Sequence, residues 1–249
     1  MSELTSTFES WLRRLVPGAD RHWRGASDSE IAQVEALAGR PRPPFYRWFL
    51  ARMGHDMGAL AYPDVDFSVR RVLACNGEGL FSPNPRYFMI GFVTDEMMPL
   101  HVLYDFAHPA RDDARVTRRH ALVGPFHDRF ETLHDMFAWG ALLRFRVNPA
   151  RQTCTGSLHD DADDVAARLV PVMESLGFAA PFKAGAHCSL FERDDMVMIT
   201  TSSSPAEPPR RHIFRLAGSD STAIRSVLGS ILDATSLRLE NPEWTPPLR

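Results

Sequence analysis

The sequence predicts an α+β fold in two parts, and three observations predict it. The first 54 residues carry helical spacing with marked helix ends, residues 67–124 switch to strand-like spacing, and helix and strand signals alternate again after Pro149. A first domain over 1–148 is expected to hold a helical hairpin, an antiparallel strand meander and a closing helix. A smaller α+β sandwich domain is expected over 149–249.

The hairpin is the most clearly written stretch. Ser27 is a good N-cap, and Glu30 completes a capping box that satisfies two otherwise unpaired backbone N–H groups. Ile31, Val34, Leu37 and Ala38 form one apolar stripe. Gly39 closes the helix, because it takes the left-handed C′ conformation without strain. Pro41, Pro43 and Pro44 then hold an extended joint. A second helix runs from near Pro44 to Gly54 and buries Phe45, Trp48, Phe49 and Met53. Ahead of the hairpin, residues 4–16 form a short amphipathic helix with Phe8, Trp11, Leu12 and Leu15 on its apolar side.

Three strands are expected next, at Ser68–Cys75, Tyr87–Val93 and Pro99–Phe106, with residues 94–98 as the loop between the last two. Arg111–Arg119 reads as a polar excursion and Ala121–Val123 as a short strand. After Pro125, a helix carrying Phe126, Phe130, Leu133 and Phe137 closes the domain. In the second part, a helix from Asp160 to Leu176 opens on Asp160, Asp161, Asp163 and Asp164, which suit the positive end of its dipole. Pro171 should kink or divide it. His187–Glu192 and Met196–Thr201 read as a hairpin about Arg193-Asp194-Asp195. A strand at Arg211–Leu216 and a helix at Asp220–Leu232 complete a β-α-β-β-β-α pattern, loosely ferredoxin-like. The tail from Asn241 is expected to lie extended along a surface.

Ser27, Glu30, Ile31, Glu35, Leu37 and Gly39, then Pro44, Tyr46, Arg47, Phe49, Leu50 and Gly54, spell S-x-x-E-I-x-x-x-E-x-L-x-G, a proline joint and P-x-Y-R-x-F-L. This order resembles the N-terminal signature of the SUKH superfamily (Smi/Knr-like), which holds fungal cell-wall-synthesis regulators and bacterial immunity proteins of polymorphic toxin systems. With the strand meander and the closing helix, the resemblance covers about residues 20–145. It rests on capping, packing and turn residues, so it speaks to a fold rather than an active site. One departure is the loop Asp95-Glu96-Met97-Met98-Pro99, where many relatives carry a glycine-bearing D-x-x-G. The resemblance implies a binding protein, with toxin immunity as its role.

Composition is that of an ordinary globular chain: 249 residues, 44% hydrophobic and 24% charged. A formal net charge of -3 supplies no basic field, so nucleic acid is not an expected partner. Lys183 is the only lysine. Cys75, Cys154 and Cys188 are odd in number and in no paired spacing, which indicates neither a disulfide framework nor a zinc site and favours a reducing compartment. The first residues lack a signal-peptide pattern, and no apolar run is long enough to span a bilayer, so a cytoplasmic location without membrane attachment is expected.

The sharpest chemical constellation is His127, Glu131 and His134. On a helix over 126–138 these metal-ligand types share one face, which would make a metal-dependent hydrolase. No complete metalloprotease motif accompanies them, and a solvated helix face is the plainer reading. Arg111, Arg115, Arg118, Arg119 and His120 form a basic run suited to an acidic partner or a phosphate, or simply to solvent. Neither G-x-S-x-G, Walker A, G-x-G-x-x-G nor C-x-x-C occurs. The expected function is therefore non-catalytic protein binding without a cofactor: an immunity protein that occludes a cognate toxin, or else a regulatory scaffold. The partner-binding candidates are Asp64, Asp66, Asp95 and Glu96, with Met97 and Met98 as adaptable apolar contacts.

Overall fold

The structure is a computed structural model, and the residues it describes are 3–77, 84–95, 97, 99–120, 127–161, 164–183, 185–202 and 210–247. Two compact units divide the chain, Met1–Met136 and Phe137–Arg249. Each is a mixed α+β unit built on an antiparallel sheet.

The first unit begins with helices α1 (Glu3–Leu15), α2 (Asp28–Leu37) and α3 (Pro44–Met53). The capping box forms as its residues dictate: Ser27 accepts from the Glu30 N–H, and the Glu30 carboxylate accepts from the Ser27 N–H at 2.8 Å. Gly39 takes a φ of +63°. Ile31 and Val34 are buried, whereas Leu37 is 46% exposed and leaves the stripe. Helix α3 buries Phe45, Tyr46, Trp48, Phe49, Leu50 and Met53. Phe8, Phe45 and Trp48 meet with ring centroids 5.2–5.6 Å apart, in the tilted and edge-on arrangements that aromatic quadrupoles favour. Glu9, 5% exposed, accepts from both Arg13 and Arg52 and so ties α1 to α3.

The sheet is a meander in the order β1 (Val65–Asp66), β2 (Tyr87–Val93), β3 (Leu100–Ala110), β4 (Asp113–His120), β5 (His127–Phe130). Phe88 stands opposite Tyr104 and Met89 opposite Leu103, so the two pairs point to opposite faces. Tyr104 packs edge-on to Tyr46 of α3 at 5.5 Å. On the other face, Cys75 of helix α4 (Val69–Gly77) clusters with Met89 and Leu103. The sheet is therefore covered on both sides.

Three expectations are corrected here. Residues 68–75 are helical, not a strand. Val69, Val72 and Cys75 repeat every third residue on the buried side, and the Ser68 hydroxyl accepts from the Arg71 N–H. The Arg111–Arg119 excursion is mostly strand β4, joined to β3 by a two-residue turn in which Arg111 and Asp112 have φ of 48° and 60°. Such turns require positive φ at both central residues and usually announce themselves with Asn-Gly or Asp-Gly. The closing helix starts later than expected, because residues 127–130 form β5 and α5 runs Leu133–Leu142. The tail is extended as expected and lies as strand β10 (Arg238–Thr245) against β6 (Gln152–His159), with a bulge between Glu240 and Glu243 that accommodates Pro242. The expected strand at 121–123 lies outside the described residues.

The second unit runs β6 (Gln152–His159), α6 (Val165–Ser175), β7 (Cys188–Glu192), β8 (Met196–Ser202), β9 (Arg211–Gly218), α7 (Ser221–Ala234), β10. Its sheet order is β10-β6-β9-β8-β7. Leu158, Met196, Met198, Phe214 and Leu216 pack one face of that sheet against Leu169 and Met173 of α6 and Ile224, Val227 and Ile231 of α7. Pro171 lies inside α6, which spans it as one helix capped by Asp164. Asp160 and Asp161 precede that helix rather than opening it. All three cysteines are buried and none is in a disulfide.

Asp113 is the buried carboxylate that links two elements of the first unit. One oxygen accepts from the Ala114 N–H and the other from the Leu133 N–H, both at 2.9 Å, so it fastens the start of β4 to the start of α5. Burial pushes its carboxyl up from the ordinary 3.8 to about 6. Below about pH 4 the group is protonated whether the chain is folded or not. Between about pH 4 and 6 only the folded chain keeps the proton, so stability falls as pH rises, and above that range a cost of about 3 kcal/mol remains. Asp113→Asn imitates the protonated form. Urea unfolding of the two proteins should show the difference between them shifting toward the variant by up to about 3 kcal/mol from about pH 4 to pH 7. A constant difference would contradict the buried-carboxylate account.

Candidate functional site

Pairing of β1 with β2 builds the site. Val65 stands opposite Val93 and Asp66 opposite Phe92, and the Thr94 N–H donates to the Asp64 carbonyl at 3.0 Å. This places residues 64 and 94–95 side by side at the end of β2, although they lie far apart in sequence. Asp64 and Asp95 are exposed, and Met97 is 91% exposed. The Asp95 carboxylate accepts from the Met97 N–H at 2.8 Å, which shapes the loop. Asp64, Asp95 and Met97 thus form one acidic, apolar-tipped lip. Glu96 and Met98 lie outside the described residues.

Asp66 does different work. Its carboxylate accepts from the Ser68 N–H at 2.8 Å and stands 3.5 Å from Arg71. The Arg71 guanidinium sits 4.7 Å from the centre of the Phe92 ring, which stacks on His101 at 4.5 Å. The Val93 N–H donates to His101 Nδ1 at 3.0 Å, which places the ring proton on Nε2. Burial, helped by His120, holds the His101 pKa below its ordinary value, so the ring stays neutral. Through Arg71 and Phe92 the stack links Asp66 of β1 to His101 of β3. Sequence spacing gave no sign of it, since its members come from α4, β2 and β3.

Arg118, on β4 between Val102 and His127, is also part of the setting. Burial and the neighbouring Arg129 lower its pKa, while Tyr62 and Asp64 act to raise it. Asp64 therefore feels a half-buried cation, but neither it nor Asp95 has an ion-pair partner within 4 Å among the described residues.

The histidine constellation does not assemble. His127 lies on β5, Glu131 in the bend after it, and His134 on α5, so the single helical face on which the three would meet is missing. His134 is 3% exposed, with its ring 5.0 Å from Phe8 and 5.2 Å from Phe45. Glu131 instead pairs with Arg111 at 3.3 Å. Among the described residues no three His, Cys, Asp or Glu side chains are grouped to hold a metal. The Arg111 side chain also reaches Asp135, whose carboxyl, against the upward push of burial, is held below its ordinary value by His134 and Arg111.

No helix among the described residues is long and apolar enough to cross a membrane. No family model, curated protein or solved structure matches the chain.

The two kinds of acidic residue should respond differently to substitution. Asp64→Asn and Met97→Ala should change unfolding stability by no more than about 0.5 kcal/mol. Asp66→Ala, which removes the Ser68 and Arg71 contacts, should cost about 1 kcal/mol. Chemical denaturation of the three variants measures both.

Proposed function

We propose that the chain is a non-catalytic binding protein that neutralises a cognate toxin by covering it, as the SUKH-like order of residues 20–145 implies. The observation that carries the reading is the lip, where Asp64 and Asp95 present carboxylates with no ion-pair partner among the described residues, beside an almost fully exposed Met97. A methionine adapts to an irregular apolar pocket at little cost in strain. Carboxylates at the rim of an interface steer a basic partner and set its orientation. Glu96, next in the chain, is acidic as well. The partner that fits is a toxin domain with a basic active-site surface, such as one that acts on nucleic acid. Occlusion through complementary shape and charge needs no bond chemistry. The proposed location is the cytoplasm, where such a toxin would act.

The test uses the tagged full-length chain to capture its partner from lysate of its own cells, followed by calorimetry on the purified pair. The expected partner is a toxin domain that binds in equimolar ratio and loses activity when bound. Asp95→Lys combined with Glu96→Lys should weaken the complex at least about tenfold and flatten its salt dependence. A tight partner without toxic activity would transfer the reading to a regulatory scaffold. Affinity unchanged by the double reversal would remove the lip from the interface.

A further inference from the structure

The second unit carries a cleft that the proposed docking role leaves unused. It encloses about 600 Å³ between α6, strand β7 and the segment that joins them. Ala167, Val170 and Pro171 of α6, Phe182 of the joining segment and Leu190 and Phe191 of β7 give it apolar walls. Clefts of this size and lining are where compact proteins bury small molecules.

The polar groups in it are few and specific. β7 is the outermost strand of its sheet and pairs with β8. Arg193 and Met196 exchange both main-chain hydrogen bonds across the β7–β8 turn. By the alternation of an antiparallel ladder, Glu192, Leu190 and Cys188 must then turn their N–H and C=O groups away from β8. Glu192 exchanges two bonds of 2.8 Å with Ala179, and the Cys188 N–H reaches the Gly185 carbonyl at 3.5 Å. Leu190, between them, is 3% exposed and has no main-chain partner on that side among the described residues. A buried donor and acceptor left unpaired cost about 1–3 kcal/mol each, and here they face a space that can hold their partner.

We infer that this cleft binds a small apolar molecule carrying an uncharged secondary amide. Its C=O and N–H pair with the Leu190 N–H and C=O, as one residue of an added strand would. Charge at the rim disfavours an anion, and the apolar walls disfavour a cation. Lys183 brings one ammonium, against the carboxylates of Glu174 and Asp164, and the Asp164 carboxylate already accepts from the Ala167 N–H at 2.8 Å. The apolar groups on either side of the amide lie against Val170 and Pro171 on one wall and Phe182 on the other.

The experiment titrates N-benzyl isovaleramide into the isotope-labelled full-length chain, followed by amide NMR, with benzyl isovalerate as the matched ester that lacks the N–H. Saturable shifts centred on Leu190 are expected, with the ester bound about tenfold more weakly. Val170→Trp, which fills the cleft, should abolish the shifts while circular dichroism reports an intact fold. If that variant misfolds, the wild-type comparison of amide with ester decides alone. The inference is overturned by the absence of saturable shifts, by shifts centred elsewhere, or by an ester that binds as tightly as the amide.

Discussion

β3 is buried on both faces, with Val102 and Tyr104 fully enclosed on the α3 side and His101, Leu103 and Asp105 each 2% exposed on the other. A polar side chain in that position costs free energy unless it is hydrogen-bonded. The Val93 N–H donates to His101. Asp105 receives a bidentate Arg86 at 2.8 and 2.9 Å and the His108 ring at 2.8 Å. Against burial, these contacts and the Ala107 N–H hold its carboxyl below the ordinary value. Tyr104 faces Asp113, and burial together with that carboxylate drives the phenol well above its usual pKa. The polar side chains that surround β3 are thus the condition on which a two-faced central strand can exist.

What could be read from sequence followed from how local each signal is. The capping box at Ser27 and Glu30, the left-handed Gly39 and the aromatic spacing of α3 are settled within a few residues, and all appear as read. The β7–β8 hairpin does too, because its apolar runs flank a compact polar turn. Strand β4 was hidden by its arginines, which look solvated in a list of residues. In the fold, Arg115 stands opposite Asp105 and Arg118 opposite Val102. Its turn also lacks the glycine that would have announced it, and the Arg111 contacts with Glu131 and Asp135 hold the left-handed backbone instead. Val69 and Val72 favoured a strand by residue type, and only the cover they supply to one sheet face makes them helical.

The lip shows the same limit. Asp64, Asp95 and Met97 are each visible in sequence as exposed types, but their adjacency depends on β1 pairing with β2, a long-range contact that no spacing encodes. Asp66 was grouped with them by proximity in sequence, whereas its side chain serves Ser68 and Arg71. Within two residues, one carboxylate faces outward and the other supports the helix that follows. The metal reading of His127, Glu131 and His134 failed for a related reason: helical periodicity was extended across a strand and a bend.

Lys183 is the only lysine in the chain, and it stands at the rim of the cleft in the second unit. The other basic side chains are guanidinium and imidazole groups, with which amine-directed reagents form no stable product at neutral pH. The molecule therefore carries a built-in address. An acylating dye or an amine-selective crosslinker would have one side-chain target, beside the space whose occupancy is of interest. Reactivity at that single amine would serve as a local reporter without any engineered label.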